Sequence, residues 1–427
     1  MSVLLASGSA SGTLAAVRNL GTNGVEVGVI CSGRLSAAAW SRWRSRSYLA
    51  PPETNSDRFL ERLLAIGKAN PGQILLATSD QTAWLYTANA DLLGEYFRLY
   101  QPPLETVRSI LDKETFAAVA FKAGLAVLPS WCPRDDKDLE ALAPTLPYPI
   151  VIKPRTHVHR LRNDKGVVVR SPDQLIRQYR LFLDREQSRA AGNPISSDAK
   201  RPILQQFINV GKEGVLSITA FLDRTGQHFV TRHAIKVFQR TRPLGVGVCF
   251  ESLPGNAALS NAVRRLCDAL GYFGIFEVEF LWFNGTWAAI DFNPRLYHQI
   301  GLDIRRGMPL PLLACLDAVG EEASLRIAVA KAQAEEPNGK TVFCDRFTLR
   351  AILFALAITS RISRQDCAYW RAWTNRNVAY TVDAAADATD RMPGLVHALS
   401  EISLGLKAIP RFLRSTPRRL PSAGTRS

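Results

Sequence analysis

Between Phe273 and Arg295 the chain reads FGIFEVEFLWFNGTWAAIDFNPR, two apolar and aromatic runs on either side of Asn284-Gly285. An Asn-Gly pair accepts the positive φ that a two-residue hairpin turn needs, so this stretch predicts a tight β-hairpin and restricts register as well as element type. Glu279 lies toward the end of the first run and Asp291 toward the end of the second, so antiparallel pairing about the turn sets them opposite each other. Asn293, two residues beyond Asp291, falls on the same face. Two carboxylates and an amide oxygen form an oxygen-only donor set. That set suits a hard cation such as Mg²⁺, which takes a few carboxylates and shares the rest of its shell with phosphates. Arg295 adds a fixed cation beside it. The plain alternative is a hairpin with polar edge residues, although carboxylates in so apolar a ribbon are costly without a compensating cation.

The flanking sequence gives the class of fold. Val3–Ala6 and Val25–Ile30 read as strands around a helix at Thr13–Leu20, and Ile74–Ala77 as a further strand. Strands alternating with helices predict an open parallel α/β sheet. Ser7-Gly8-Ser9-Ala10-Ser11-Gly12 invites a dinucleotide-binding reading, but its glycines lack the G-x-G-x-x-G spacing, and a tight turn onto a helix is favoured. Past Pro102-Pro103 a capped helix is predicted over Leu111–Gly124. Strands follow at Tyr148–Lys153, Lys165–Arg170, Ile203–Ile208, Val215–Phe221, His228–Ala234 and Val246–Phe250, with a polar insert between Asp184 and Arg201. A helix over about Asn256–Leu270 precedes the hairpin, and after Gly320 the pattern turns helical.

At this point a family resemblance emerges. Glu279 followed by Asp291-Phe292-Asn293-Pro294-Arg295 resembles the E…[ED]-x-N-x-R signature of the ATP-grasp superfamily, with Asp291 where Glu is commoner. Leu111-Asp112-Lys113 resembles the family's DK pair, Gly124 to Pro129 its G-x-x-x-P entry with one extra residue, and Tyr148 to Pro154 its P-x-V-x-K-P strand. Gln205-Gln206-Phe207-Ile208 stands where the family clasps adenine, with Gln205 for the usual Glu, and Gly211-Lys212-Glu213 resembles the following G-x-E. Arg232-His233 through Gly247, with Glu251-Ser252, and Gly301 to Pro309 are similar to the carboxylate–amine ligase branch.

The resemblance covers about residues 1–320. It implies an α/β pre-ATP-grasp domain over 1–105 and an ATP-grasp domain over 106–320 with a small lid subdomain at about 125–208; the chain's own pattern adds a helical region over 321–409 and a basic tail over 410–427. It further implies ATP and Mg²⁺ as cofactors. Glu279, Asp291 and Asn293 would hold metal; Lys113, Lys153, Gln205, Gln206, Phe207, Ile208 and Glu213 would hold nucleotide. Lys153 and Arg295 would assist catalysis. One departure is the segment 155–166, where the family often has a Gly-rich loop. Here it holds Arg155, Arg160, Arg162 and Lys165 with a single glycine, so side-chain cations replace backbone N–H groups over the phosphates. His157 and His159 in that loop read as polar loop residues rather than metal ligands.

Three classes of function follow. The first is an ATP-dependent ligase joining a small carboxylate to an amine; the rivals are kinase-like phosphoryl transfer and a non-catalytic ATP-binding protein. The net charge of +15 admits polyanions, but no nucleic-acid-binding signature accompanies it. Much of the excess is terminal, since Lys340–Ser427 holds fourteen Lys/Arg against six Asp/Glu. The prolines from Pro410 onward favour a solvated tail, with peripheral contact to anionic lipid or a polyanionic substrate as the alternative. The seven cysteines follow no pattern and read as buried reduced thiols. With no export signal and no long apolar run, the expected location is the cytoplasm.

Overall fold

The computed structural model describes residues 1–160, 166–187, 200–210, 214–240, 245–334 and 339–413, without side chains at 186–187 and 406–413. The first sheet is parallel, formed by β1 (Ser2–Leu5), β2 (Glu26–Cys31), β3 (Arg46–Leu49), β4 (Gln73–Leu76) and β5 (Phe97–Leu99) in the order β3-β2-β1-β4-β5. The helix Ser11–Thr22 crosses from β1 to β2 and buries Leu14, Val17 and Leu20. The turn before it is closed by Ala10 N donating to Ser7 O at 2.8 Å, so it is the tight turn that its glycine spacing suggested.

Two further sheets follow. β6 (Ala126–Val127) joins the large sheet described below. β7 (Ser130–Trp131), β8 (Ile150–Lys153), β9 (Val167–Val169) and β10 (Ile203–Gln206) make a small antiparallel sheet ordered β7-β10-β8-β9. The helix Pro172–Gln187 covers it and runs into the polar insert, whose residues 188–199 lie outside those described. This small sheet has a core of its own, with Leu139, Ile150, Ile152, Leu175, Tyr179 and Leu204 packed together.

The large sheet has β11 (Val215–Leu222) at its centre, flanked by β12 (Phe229–Gln239) and β14 (Gly274–Phe283). β13 (Gly247–Leu253) continues it beyond β12, and β15 (Thr286–Asn293) beyond β14. Asn284 and Gly285 take φ of 48° and 81°, the doubly positive turn that the sequence predicted for the hairpin β14–β15. The core of the parallel sheet is continuous with one side of this larger one: Leu14 and Val29 share a cluster with Phe221, Ile275, Tyr297 and Leu313.

The expected helix at Leu111–Gly124 begins instead at Lys113, with Asp112 as its cap accepting from the backbone N–H of Glu114 and Thr115. A separate helix, Leu104–Leu111, stops just before that cap, so the Asp-Lys pair sits at a helix junction. The region after Gly320 is mostly helical as expected, but it is not only helical. β16 (Val342–Cys344) pairs with β13, and β17 (Thr381–Asp383) with β16, lengthening the large sheet. Strands of three residues show too little alternation to be seen in a sequence. The last helix, Met392–Leu413, carries on through Pro410. Among the described residues no helix is long and apolar enough to cross a membrane. The cysteines are free thiols, five buried and two half-buried.

Candidate active site

The hairpin register sets Glu279 opposite Asp291 and Glu277 opposite Asn293. A bulge follows: Phe280 pairs with Ala289, leaving Ile290 as the extra residue, and so Ile290 and Asp291 both face a cavity of about 650 Å³. The acidic pairs do not stand alone. Lys113 Nζ lies 2.6 Å from Asp291 Oδ1 and Lys236 Nζ lies 2.5 Å from Glu279 Oε1. Arg295 spans the next step, donating to Asn293 Oδ1 at 3.0 Å and pairing with Asp80 Oδ1 at 2.9 Å.

Glu277 is buried and accepts from Ser217 Oγ at 2.5 Å, Gln299 Nε2 and Asn293 Nδ2 at 3.0 Å. Burial first, and the Glu279 charge second, hold its carboxyl above the ordinary range. For Lys236 burial works against the ammonium, yet Glu279 outweighs it and the pKa is raised.

This donor set fits Mg²⁺. No group of three or more His, Cys, Asp or Glu converges among the described residues. Mg²⁺ asks for less, one or two carboxylates with phosphate and water completing the octahedron. Glu279 and Asp291 face each other with the Asn293 side chain one pleat further on, and both carboxylates already hold cationic partners there.

The small sheet brings one predicted residue into the cavity. Lys153, at the end of β8, lines it and donates to Gln205 Oε1 at 2.8 Å. Gln205, Gln206, Phe207 and Ile208 are not among the lining residues. Gln205 donates onward to Ser130 at 3.1 Å, and the backbone of Gln206 and Phe207 bonds Pro129 O and Pro149 O. Ile208 packs beside Leu128, Val215 and Leu281, the last two of which do face the cavity. Glu213, with Gly211 and Lys212, lies outside the described residues, as do residues 161–165 and 241–244. His157 lines the cavity; the backbone N–H of His159 donates to Gln81 at 2.7 Å.

The far end of the cavity belongs to the loops after the parallel strands. Glu53 accepts from Ser7 Oγ and from Ser79 Oγ, each at 2.5 Å, and Ser7 Oγ meets Thr78 Oγ1 at 2.9 Å. His298 bonds Ser11 Oγ through Nδ1 at 2.6 Å, and burial takes its pKa from the ordinary 6.5 to about 4. Glu277, Lys236, Gln299, Asp80 and Glu53 were missed in the sequence. Only Glu277 left a trace there, two residues before Glu279 and so on the same strand face.

No family model matches the chain. It is 22% identical over 291 residues to the carbamoyl phosphate synthase large chain of Pyrococcus furiosus, a match that takes in 64% of this chain and 25% of that protein. The chain thus spans about a quarter of the length of that relative. The biotin carboxylase domain of Hydrogenobacter thermophilus 2-oxoglutarate carboxylase, solved with MgADP and bicarbonate, superposes with a TM-score of 0.64. That likeness covers 79% of this chain and 73% of the other at 14% identity. An L-amino acid ligase from Bacillus licheniformis superposes with a TM-score of 0.58 over 80% of this chain and 78% of its own, at 15% identity. The chain has the ATP-grasp fold. In this ATP-grasp chain the cavity lies where all three parts meet: the small sheet supplies Lys153, the large sheet the acidic hairpin, and the parallel sheet Glu53 and Asp80.

Proposed function

We propose that the protein binds Mg-ATP in this cavity and joins a small carboxylate to an amine through an acyl phosphate. The observation that carries the reading is that Lys113, Lys153 and Arg295 line one cavity with the paired Glu279 and Asp291, Lys113 bonding Asp291 directly. The phosphates would lie against the hairpin, where Lys113 and Lys153 exchange carboxylate and amide partners for phosphate oxygens. The adenine would lie along Val210, Val215, Leu281 and Ile290, apolar residues beside the Gln205–Ile208 segment. Mg²⁺ held by Glu279, Asp291 and Asn293 supplies charge neutralisation on the phosphates.

A carboxylate oxygen attacks the γ-phosphorus as the bond to the β-phosphate oxygen breaks and ADP leaves. The amine nitrogen then attacks the acyl carbon, phosphate departs, and the nitrogen loses a proton. Arg295 faces the charge that develops on the transferring group, and Asp80 holds it in place from the N-terminal side. Glu53, on the cavity wall and bonded by hydroxyls, suits the incoming ammonium, and its carboxylate takes the proton that the nitrogen gives up before it attacks. MgADP and bicarbonate in one structural neighbour, and an amino acid ligase as another, support this reading.

Hydroxylamine tests it. Given its carboxylate, the protein should release ADP and phosphate and form a hydroxamate, because an acyl phosphate is an electrophile and a phosphate ester is not. ADP with a stable phosphorylated product and no hydroxamate makes the protein a kinase. ATP-dependent thermal stabilisation without turnover on a broad carboxylate panel makes it a nucleotide-binding protein.

A further inference from the structure

The helix Met392–Leu413 turns the opposite face outward from the one expected. Its inward side holds Val396, which is buried, His397, which bonds Asp345 at 3.1 Å, and Glu401, which pairs with Arg240. Its outward side holds Met392, Leu395, Leu399 and Ile402, exposed by 45, 56, 47 and 50%. Steps of three, four and three residues make these one stripe along an α-helix. The same spacing continues in the sequence through Leu406, Ile409 and Leu413. A surface helix ordinarily buries such a stripe and gives its charged side to water.

The surroundings repeat the theme. The helix packs on the turn Ala37–Trp40, where Trp40 and nearby Leu35 are 46 and 44% exposed. The ring of Phe347 meets His397 at 6.5 Å, and Phe354 and Ile358 follow at helical spacing on the same helix, both about two-thirds exposed. Charge completes the pattern. After Glu401 the sequence has no acidic residue, while Lys407, Arg411, Arg414, Arg418, Arg419 and Arg426 follow.

An apolar stripe joined to an acid-free basic segment needs an occupant that offers both hydrocarbon and negative charge. A second copy offers hydrocarbon but sets two basic segments against each other. An anionic bilayer supplies both. We propose that the Met392–Leu413 helix and the basic segment after it seat the protein on an anionic lipid surface. The helix lies in the interface, with Leu395, Leu399 and Ile402 at the acyl boundary and the Lys and Arg side chains among the headgroups.

Flotation of the full-length protein with vesicles of phosphatidylcholine alone, or with roughly 30 mol% phosphatidylglycerol, tests this. The protein should rise with the anionic vesicles and stay behind with the neutral ones. Raising salt from about 0.1 to about 0.5 M should lower its partition at least about tenfold. L395E/L399E alters exposed positions only, so it should keep the wild-type circular dichroism and Tm and lose flotation. R411Q/R414Q/R418Q/R419Q, which leaves the stripe intact, should bind at least about tenfold more weakly. No flotation of the wild type, equal flotation on neutral vesicles, or flotation untouched by either variant overturns the proposal. So does a dimer in light scattering that L395E/L399E dissolves, because the stripe then belongs to a second copy.

Discussion

The two ends of the cavity solve the problem of buried charge differently. At the hairpin end Asp291 has Lys113, Glu279 has Lys236, and buried Glu277 is held by Ser217, Gln299 and Asn293. At the N-terminal end Glu53 is bonded by the hydroxyls of Ser7 and Ser79, and among the described residues no cation pairs with it. On the proposed reading a balanced end can take in a metal and a phosphate chain together, since Lys113 moves from Asp291 to a phosphate oxygen as the metal takes its place on the carboxylate. The unbalanced end keeps a negative charge available, and a cationic amine is the complement it lacks. On the proposed reaction, phosphoryl transfer belongs to the first and selection of the amine to the second.

The largest expected effect lies at the balanced end. E279A and D291A should each lower Mg-dependent turnover on the order of 10²- to 10³-fold with the fold retained by circular dichroism. Near-normal turnover with an unchanged Mg²⁺ requirement in either variant removes the hairpin from the chemistry. Next, K153M and R295Q should each cost about 10²-fold in hydroxamate formation. R295Q should act mainly on kcat, because Arg295 faces charge that appears only in transfer. A pure KM effect would place Arg295 in ground-state binding instead.

At the other end E53Q should raise KM for the amine about tenfold or more, the worth of one charge-assisted hydrogen bond, and leave ATP binding unchanged. An unaltered amine KM would erase the distinction between the ends. The smallest effect concerns His298, which joins them through Ser11. Burial depresses its pKa to about 4 from 6.5, so the unfolded chain takes up this proton first as pH falls. Its contribution to stability is therefore complete above pH 6.5 and lost toward pH 4. Over that window the Tm of the wild type should fall by a few degrees more than that of H298Q. Parallel Tm curves would mean that the imidazole is not shielded as its burial implies.

Legibility in the sequence followed the distance over which each contact acts. The hairpin was readable down to its register because Asn284-Gly285 and the alternation around it are local, and Glu279 does face Asp291. The β1–helix–β2 unit and most of the longer strands were readable for the same reason. The bulge at Ile290 was not, since one extra residue leaves the apolar pattern almost unchanged. Lys236 and Glu53 could not be found, because each is held at the cavity through pairings tens of residues away. β16 and β17 escaped because three residues carry no period, and only the edge offered by β13 makes them strands.

The parts of the molecule also differ in how their interiors are joined. Side chains of the parallel sheet and of the large sheet interlock in one cluster, and at Gly12 a Cβ would overlap the Tyr297 carbonyl, so these two parts abut without slack. The small sheet closes on its own residues. In mechanical terms the first pair forms an anvil, because the hairpin and the parallel sheet rest on one interior, while the small sheet is a jaw with an interior of its own, tied to the rest where Val158 packs among Ala83, Trp84, Val107 and Leu111 and Arg155 pairs with Asp112.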